Sequence, residues 1–182
     1  MVLLESKQLT IGSKMPDFKL NTPNNESYSL TTAKGEQGLL IVFTCNHCPY
    51  AIAIWERLIE LSHWAKKERV NTVAINPNIN PNYPDDSPTA MAKKISEWKI
   101  PFPYLIDNTQ NVAQQYQAQC TPDLYLLNKN SELYYHGRLD DNWQNPDKVQ
   151  KEELKDAIQD MISNKLPPKN QNPSMGCSIK WL

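Results

Sequence analysis

Two of the four cysteines stand two residues apart, in the segment Phe43-Thr44-Cys45-Asn46-His47-Cys48-Pro49. A Cys-x-x-Cys pair is typical of a redox or metal-binding device rather than of a disulfide that staples a fold. The apolar run before the segment and the amphipathic run after it place the pair where a buried strand passes into a helix. Because amide groups and the dipole at a helix start stabilise an anion, the leading sulfur should be a reactive thiolate. The spacing therefore predicts that Cys45 attacks a disulfide and that Cys48, one turn on, resolves the mixed disulfide.

His47 lies between the two cysteines, and an imidazole at that place would stabilise the thiolate and make the disulfide a stronger oxidant. The alternatives are a solvated loop residue at His47 and a pair of buried, redox-silent cysteines. A zinc site competes as well, but structural zinc takes two close cysteine pairs or a Cys₂His₂ set. Because Cys120 and Cys177 stand alone, the sequence predicts no metal site and no cofactor. Neither His63 nor His136 has a comparable setting, and we expect both at the surface.

Strand and helix patterns alternate along the chain, which indicates an α/β domain. The run from Gly38 to Thr44 is continuously apolar and predicts a buried central strand. A helix over residues 49–67 should follow, because its apolar positions share one face. The other predicted elements are a strand over 70–76, a helix opened by the N-cap Ser87, a short helix over 108–116, a strand over 123–127, a returning hairpin strand over 132–138 and a helix over 149–162.

Two segments lack a regular pattern. Three prolines between Asn76 and Ser87 predict an exposed, partly extended loop. Residues 1–164 form the predicted domain, and residues 165–182 form a tail whose apolar end should dock on that domain. An extended stretch of this length can cross the domain, so we expect Cys177 near the Cys45–Cys48 pair or Cys120, where it could exchange disulfides. The alternative is a Cys177 buried as a small hydrophobic residue.

The composition bounds the class of protein. The 182 residues fit one domain, 40% of them are hydrophobic and 21% are charged, which is ordinary for a globular protein. The 19 basic and 20 acidic side chains are mixed along the chain, so neither nucleic acid nor a membrane is predicted as a partner. The first ten residues lack the apolar core of a secretory signal. We therefore expect a soluble, cytoplasmic protein.

Three blocks outside the cysteine pair carry a resemblance to a known family. The blocks are Gly12-Ser-Lys-Met-Pro-Asp-Phe-Lys-Leu20, Cys120-Thr121-Pro122-Asp123 with the hairpin to Gly137-Arg138, and the terminal Gly176-Cys177-Ser-Ile-Lys-Trp181. Together they resemble the alkyl hydroperoxide reductase / thiol-specific antioxidant superfamily of redoxins, in particular its peroxiredoxin-like members with a Cys-x-x-Cys pair. The resemblance implies a thioredoxin fold: a central mixed β-sheet flanked by helices, with an added N-terminal β-hairpin.

The resemblance also implies roles for single residues. Pro122 would be cis and face the cysteines, and the backbone of Thr121 would pair with a bound substrate as an added strand. Cys120 would then lie near the redox pair, either as an accessory redox cysteine or as a small residue that fills a tight strand start. Arg138 could polarise a peroxide, although a lone arginine after a hairpin is more often a solvated charge.

The chain departs from both patterns that the resemblance suggests. Thr44 stands where thioredoxins have a tryptophan, and Leu39 stands where they have a buried carboxylate. Typical peroxiredoxins carry Pro-x-x-x-Thr-x-x-Cys, and aligning Cys48 with that cysteine puts Cys45 at the threonine place and Ile41 at the proline place. Neither the thioredoxin proton acceptor nor the peroxide-orienting threonine is present.

The preferred function is therefore thiol–disulfide exchange by an oxidoreductase that uses Cys45 and Cys48. Its partners would be protein or small-molecule disulfides and thiols, together with an electron donor that the sequence does not name. The first alternative is an antioxidant thiol peroxidase that reduces hydroperoxides and is recycled through Cys48, Cys120 or Cys177. The second is a redox-silent binding module or a structural zinc site.

Overall fold

The computed structural model describes residues 2–182. In this part of the chain the strands are β1 (Leu3–Glu5), β2 (Lys19–Asn21), β3 (Ser27–Ser29), β4 (Gly38–Phe43), β5 (Val70–Asn76), β6 (Tyr104–Ile106), β7 (Cys120–Thr121), β8 (Asp123–Asn128), β9 (Leu133–Gly137) and β10 (Met175–Ser178). The helices are α1 (Leu30–Ala33), α2 (Pro49–Lys67), α3 (Pro88–Trp98), α4 (Asn111–Gln115) and α5 (Glu153–Ile162). None of these helices combines the length and the apolar character needed to cross a membrane.

Seven strands form the central sheet, in the order β3-β2-β6-β5-β4-β8-β9. The sheet is mixed, because β4 runs parallel to β5 and antiparallel to β8. Helices α2, α3 and α5 contribute to the core on one face, and α1 and α4 contribute to the core on the other. The antiparallel pair β2–β3 adds an N-terminal hairpin. The predicted thioredoxin fold, a mixed sheet flanked by helices, is confirmed.

The strand and helix that carry the cysteine pair follow from simple sequence rules. Every residue of β4 is buried; Leu40 and Val42 face one core, while the alternating Leu39, Ile41 and Phe43 face the other. This is why the strand reads as a continuous apolar run. Helix α2 begins with a proline at its first position, where the missing N–H costs nothing, and it buries one apolar stripe. Helix α2 has the predicted bounds, and β4 ends at Phe43, one residue before the predicted end.

The C-terminal segment forms the middle strand of a second, three-stranded sheet with the order β1-β10-β7. Strand β10 is antiparallel to both neighbours, and Cys177 lies opposite Leu3 on one side and Thr121 on the other. Beyond the strand, Ile179 is buried in the core next to α4. The end of the tail is therefore held by backbone pairing and by an apolar anchor.

Three predictions differ from the structure. The short helix α4 spans Asn111–Gln115 rather than residues 108–116. The last helix begins at Glu153 rather than at residue 149, because a 3-10 turn at Pro146–Lys148 precedes it. The loop after β5 is not exposed throughout: Asn76, Asn78 and Asp86 are fully buried. Their polar side chains accept and donate hydrogen bonds within the loop and to the tail, which offsets the cost of burial.

His136 is the other correction, since its predicted surface position is wrong. Its side chain lies behind the sheet, stacked on Tyr125, with Nε2 2.8 Å from the buried Asp123 carboxylate. Asp123 also accepts hydrogen bonds from the hydroxyl groups of Ser6 (2.7 Å) and Tyr125 (3.0 Å). A polar residue on a strand is predicted to be exposed when the sequence shows no partner for it. The partners in this buried cluster come from separate segments of the chain, so the sequence does not show them. His63, by contrast, is exposed as predicted.

The Asp123 carboxylate should be important for stability. In the Asp123→Ala variant, His136 Nε2 loses its acceptor, and the hydroxyl groups of Ser6 and Tyr125 lose their nearest acceptor. We therefore expect the free energy of unfolding to fall by about 3 kcal/mol. The Ser6→Ala control removes only one neutral donor and should cost about 1 kcal/mol. Urea unfolding at neutral pH measures both. Equal effects of the two substitutions would contradict a central role of the carboxylate.

Candidate functional site

The Cys-x-x-Cys motif lies where β4 passes into α2. Thr44 is buried, and its backbone N–H donates to the carbonyl of Ile75 (2.9 Å), which extends the sheet up to the first cysteine. Cys45 and Cys48 are fully buried, and Cys48 is the N-cap residue of α2. The predicted position of the motif, at the end of a buried strand and the start of a helix, is confirmed.

Thr121 lies directly against both cysteines. The Thr121–Pro122 peptide bond is cis, as the resemblance implies. The Thr121 hydroxyl lies 3.2 Å from Cys45 Sγ, and its carbonyl oxygen lies 3.1 Å from Cys48 Sγ. The loop that enters β8 thereby places one polar contact on each of the two sulfur atoms.

Cys48 is joined by a disulfide to Cys177 of strand β10, with a Cα–Cα distance of 6.1 Å. The two residues are 129 positions apart in the chain. Cys45 is a free, buried cysteine in the same sulfur cluster, together with Ala51. The tail therefore brings a third cysteine onto the motif, and in this state the disulfide links Cys48 to the tail rather than to Cys45.

His47 is paired with a carboxylate that the sequence analysis missed. Its Nδ1 contacts an oxygen of Asp86, a fully buried residue 39 positions further on. The second Asp86 oxygen accepts from the backbone N–H of Asn46 (2.6 Å) and from the side-chain amide of Asn76 (3.0 Å). Asp86 and the sulfur of Cys45 together raise the pKa of His47 to about 10. His47 is therefore an imidazolium at neutral pH, held beside the free cysteine.

An aromatic side chain lies next to His47, and a lysine of the tail lies near that aromatic ring. Tyr83 stacks on the imidazole, with ring centroids 4.8 Å apart, and Lys180 of the tail lies 5.8 Å from the Tyr83 ring. The sequence offered one signal for this region, the Asp85-Asp86-Ser87-Pro88 run before α3, and it reads as a helix start rather than as a site. Only the fold brings Asp86 to His47.

Cys45, His47 and Asp86 also form a set of metal-ligating groups. One ligand atom from each lies within 4.8 Å of the other two. Three such ligands with an open position could hold a divalent ion such as zinc. The Asp86 oxygens are already used by three donors, however, and an ion pair between Asp86 and the imidazolium accounts for the arrangement without a metal.

Two further predicted residues have partners of their own. Cys120 is fully buried, its Sγ is 3.6 Å from the Pro122 carbonyl, and burial together with the charge of Asp123 raises its pKa. Such a thiol is a poor nucleophile. Arg138 directly follows the β8–β9 hairpin and pairs with Glu153, to which its Nη2 donates at 3.1 Å.

The pair of His47 and Asp86 should make stability depend on pH. Because the folded pKa of His47, about 10, is above its ordinary value of 6.5, the pair stabilises the fold fully below pH 6.5. That contribution is lost as pH rises through about 10. In Asp86→Asn the pKa of His47 should fall and this loss of stability should disappear. Titration of the His47 ring by NMR and urea unfolding at pH 7 and 10 measure the two effects.

Glu36→Gln is the matched control for that experiment. Glu36 is an exposed carboxylate paired with exposed Arg69, so its removal should leave the titration of His47 unchanged. If Asp86→Asn also leaves the His47 titration unchanged, the proposed ion pair is wrong.

The comparisons with known proteins agree with this geometry. The family model described as the AhpC/TSA family matches residues 11–136. The thiol-disulfide oxidoreductase ResA of Geobacillus kaustophilus is 25% identical over 130 residues, which are 71% of this chain and 70% of ResA. A crystal structure of a conserved protein of the same organism, itself uncharacterized, covers all of this chain and 97% of its own at 37% identity and a TM-score of 0.95. A hypothetical protein of Sinorhizobium meliloti matches 98% of both chains at 32% identity and a TM-score of 0.92.

The match to the family model spans more than half of the chain, and it includes the Cys-x-x-Cys pair, the cis proline and the hairpin β8–β9. The chain therefore belongs to the AhpC/TSA family, and it is an oxidoreductase with the thioredoxin fold.

Proposed function

We propose that the protein catalyses thiol–disulfide exchange, with Cys45 as the attacking cysteine, Cys48 as the resolving cysteine and Cys177 as a third redox cysteine. One observation carries the proposal: a disulfide joins Cys48 to the tail while Cys45 remains free in the same buried cluster. A disulfide that shares a cluster with a third sulfur is suited to exchange rather than to stapling the fold. The similarity to ResA, a thiol-disulfide oxidoreductase, supports the same activity.

The first half-reaction uses the free cysteine. The Cys45 thiolate attacks a partner disulfide, forms a mixed disulfide and releases one partner thiolate. Cys48, as a thiolate, then attacks the Cys45 sulfur, which releases the second partner thiolate and leaves a Cys45–Cys48 disulfide. The imidazolium of His47 stabilises negative charge on Cys45 at each step.

The tail takes over the disulfide in the second half-reaction. The Cys177 thiolate attacks Cys48 Sγ, the Cys45–Cys48 bond breaks, and Cys45 departs as a thiolate beside His47. The product is the Cys48–Cys177 disulfide, in which all three sulfur-bearing residues are buried. A dithiol reductant then returns Cys48 and Cys177 to thiols, which balances the two electrons taken up by the partner.

Reduction of a protein disulfide tests this proposal. With dithiothreitol as reductant, the full chain should reduce insulin disulfides, and Cys45→Ser should lose roughly 100-fold or more of that rate. Cys120→Ala is the matched control, because its buried thiol lies outside the proposed exchange, and it should keep the wild-type rate. Unchanged turnover in Cys45→Ser would contradict the assignment of the attacking cysteine.

A thiol peroxidase is the second candidate, and the pairing of Cys48 with a distant cysteine favours it. Cys48 aligns with the peroxidatic cysteine of typical peroxiredoxins, and Cys177 would then act as its resolving partner. Two features oppose this function: Cys45 replaces the peroxide-orienting threonine, and the Arg138 guanidinium is engaged by Glu153.

We therefore expect slow reduction of hydroperoxides. Consumption of hydrogen peroxide and of tert-butyl hydroperoxide, measured with the same protein and reductant, should be far slower than insulin reduction. Fast, saturable consumption that is lost in Cys48→Ser would establish the peroxidase instead. Arg138→Gln provides the control, since an arginine engaged by Glu153 should not affect the peroxide rate.

A further inference from the structure

Strand β10 occupies a slot that is built to hold one extended strand. Backbone partners line both sides of the slot: β1 on one side and β7 on the other. Hydrogen bonds continue at both ends of the slot, from the Ser178 N–H to the Val2 carbonyl (2.9 Å) and from the Ser6 N–H to the Ser174 carbonyl (2.9 Å). Backbone hydrogen bonds hold a strand in this slot, and contacts of its side chains with the neighbouring residues determine which sequences fit.

At Gly176 the tail strand passes very close to the backbone of Thr121. A Cβ atom placed there would lie 2.0 Å from the Thr121 carbonyl oxygen and 2.5 Å from the Thr121 carbonyl carbon. Both atoms belong to backbone that leads through the cis peptide bond directly into β8 of the central sheet, so they cannot move aside cheaply. Any chain that lies in this register therefore needs glycine at that place.

The next residues set two further requirements. The residue after the glycine is Cys177, whose sulfur is bonded to Cys48. Two residues later, Ile179 is buried, and its backbone N–H donates to the Gln119 carbonyl (3.0 Å). The residue between them, Ser178, is only partly buried. The slot thus accommodates the pattern Gly-Cys-x-apolar in an extended conformation.

We infer that this slot binds a thiol partner, distinct from the disulfide that Cys45 attacks, that it takes extended protein segments with the pattern Gly-Cys-x-apolar, and that it joins the cysteine of this thiol partner to Cys48. The inference rests on the proposed exchange function and adds the class of partner. The tail occupies the site in cis, as an intramolecular mixed disulfide. Once the disulfide passes to Cys45–Cys48, the covalent tether of the tail is gone and another chain of the same pattern can replace it.

The exchange at the slot is balanced in atoms and electrons. A partner thiol in the slot loses its proton to solvent, and its thiolate attacks Cys48 Sγ of the Cys45–Cys48 disulfide. The bond between Cys45 and Cys48 breaks, a bond between Cys48 and the partner sulfur forms, and Cys45 leaves as a thiolate beside the His47 imidazolium. The partner sulfur passes from the thiol to the disulfide level while the Cys45 sulfur passes from the disulfide to the thiol level, so the exchange needs no other oxidant or reductant.

Synthetic peptides with the sequence of residues 173–182 test the inference on the full-length Cys177→Ser protein. The protein is first oxidised, and peptide mapping establishes that Cys45 and Cys48 are linked. One peptide keeps glycine before its cysteine, and the other has alanine there. The glycine peptide should form an adduct at Cys48 about tenfold or more faster than the alanine peptide, because the added Cβ overpacks the slot. Both peptides should reduce a small aromatic disulfide at equal rates, which controls for thiol reactivity.

A second pair of variants changes the competing tail instead of the peptide. Adding Gly176→Ala to the Cys177→Ser protein weakens the seating of the tail, so the glycine peptide should react several-fold faster. Adding Ser178→Ala is the matched control, because it introduces no new atom on the same strand, and it should leave the rate unchanged.

The outcomes separate this inference from the proposed function. If oxidation yields no Cys45–Cys48 disulfide, the exchange function itself fails. If that disulfide forms but the two peptides react equally fast, or the adduct forms at Cys45, the exchange function stands and the slot is not the binding site of the thiol partner. A peptide that reacts only after the tail has been weakened at Gly176, and then without preference for glycine, also overturns the inference.

Discussion

Three cysteines and the tail strand meet at one residue, Thr121. Its hydroxyl contacts Cys45, its carbonyl oxygen contacts Cys48, and its backbone lies opposite Cys177 in the register of β10 and β7. The same carbonyl oxygen excludes any side chain at position 176. Since Thr121 enters the cis peptide bond that leads into β8, the central sheet fixes its position. The chemistry of the sulfur atoms and the docking of the tail therefore depend on a single stretch of backbone.

The electrostatics of the site are supplied by a loop rather than by the sheet. Leu39 occupies the place on β4 where thioredoxins carry a buried carboxylate, and it packs in the core instead. The charged group near the cysteines is the ion pair of His47 with Asp86. The cost of burying Asp86 is offset because its oxygens receive the Asn46 and Asn76 hydrogen bonds as well as the imidazolium. The loop after β5 is folded inward for this reason, despite its three prolines.

The strands and helices that are determined by residues near each other in the chain can be predicted well from the sequence. Strand β4, helix α2 and strand β5 match their expected bounds to within one residue, because a continuous apolar run, a proline at the helix start and one apolar stripe are local signals. The pairs that complete the site are not local. His47 and Asp86 are 39 positions apart, and Cys48 and Cys177 are 129 positions apart. The three prolines of the loop after β5 predict exposure, and only tertiary contacts show that Asn78 and Asp86 in this loop are buried.

Through the tail, the disulfide partner of Cys48 affects how firmly the N-terminal strand β1 is held. Strands β1 and β7 have three and two residues, too short to be stable alone, and β10 lies between them. The covalent bond to Cys48 lies in the middle of β10, opposite Leu3. When the disulfide moves to Cys45–Cys48, that strand is held by its backbone pairs, by Ile179 and by hydrogen bonds of the flanking residues, such as the one from the Lys180 N–H to Asn78 (2.8 Å). Loss of the bond to Cys48 weakens the binding of β10, and it weakens the binding of β1 as well, because β1 pairs with β10 in the three-stranded sheet. A disulfide between Cys48 and Cys177 thus stabilises the closed arrangement in which Cys45 is buried, and a disulfide between Cys45 and Cys48 would favour its opening.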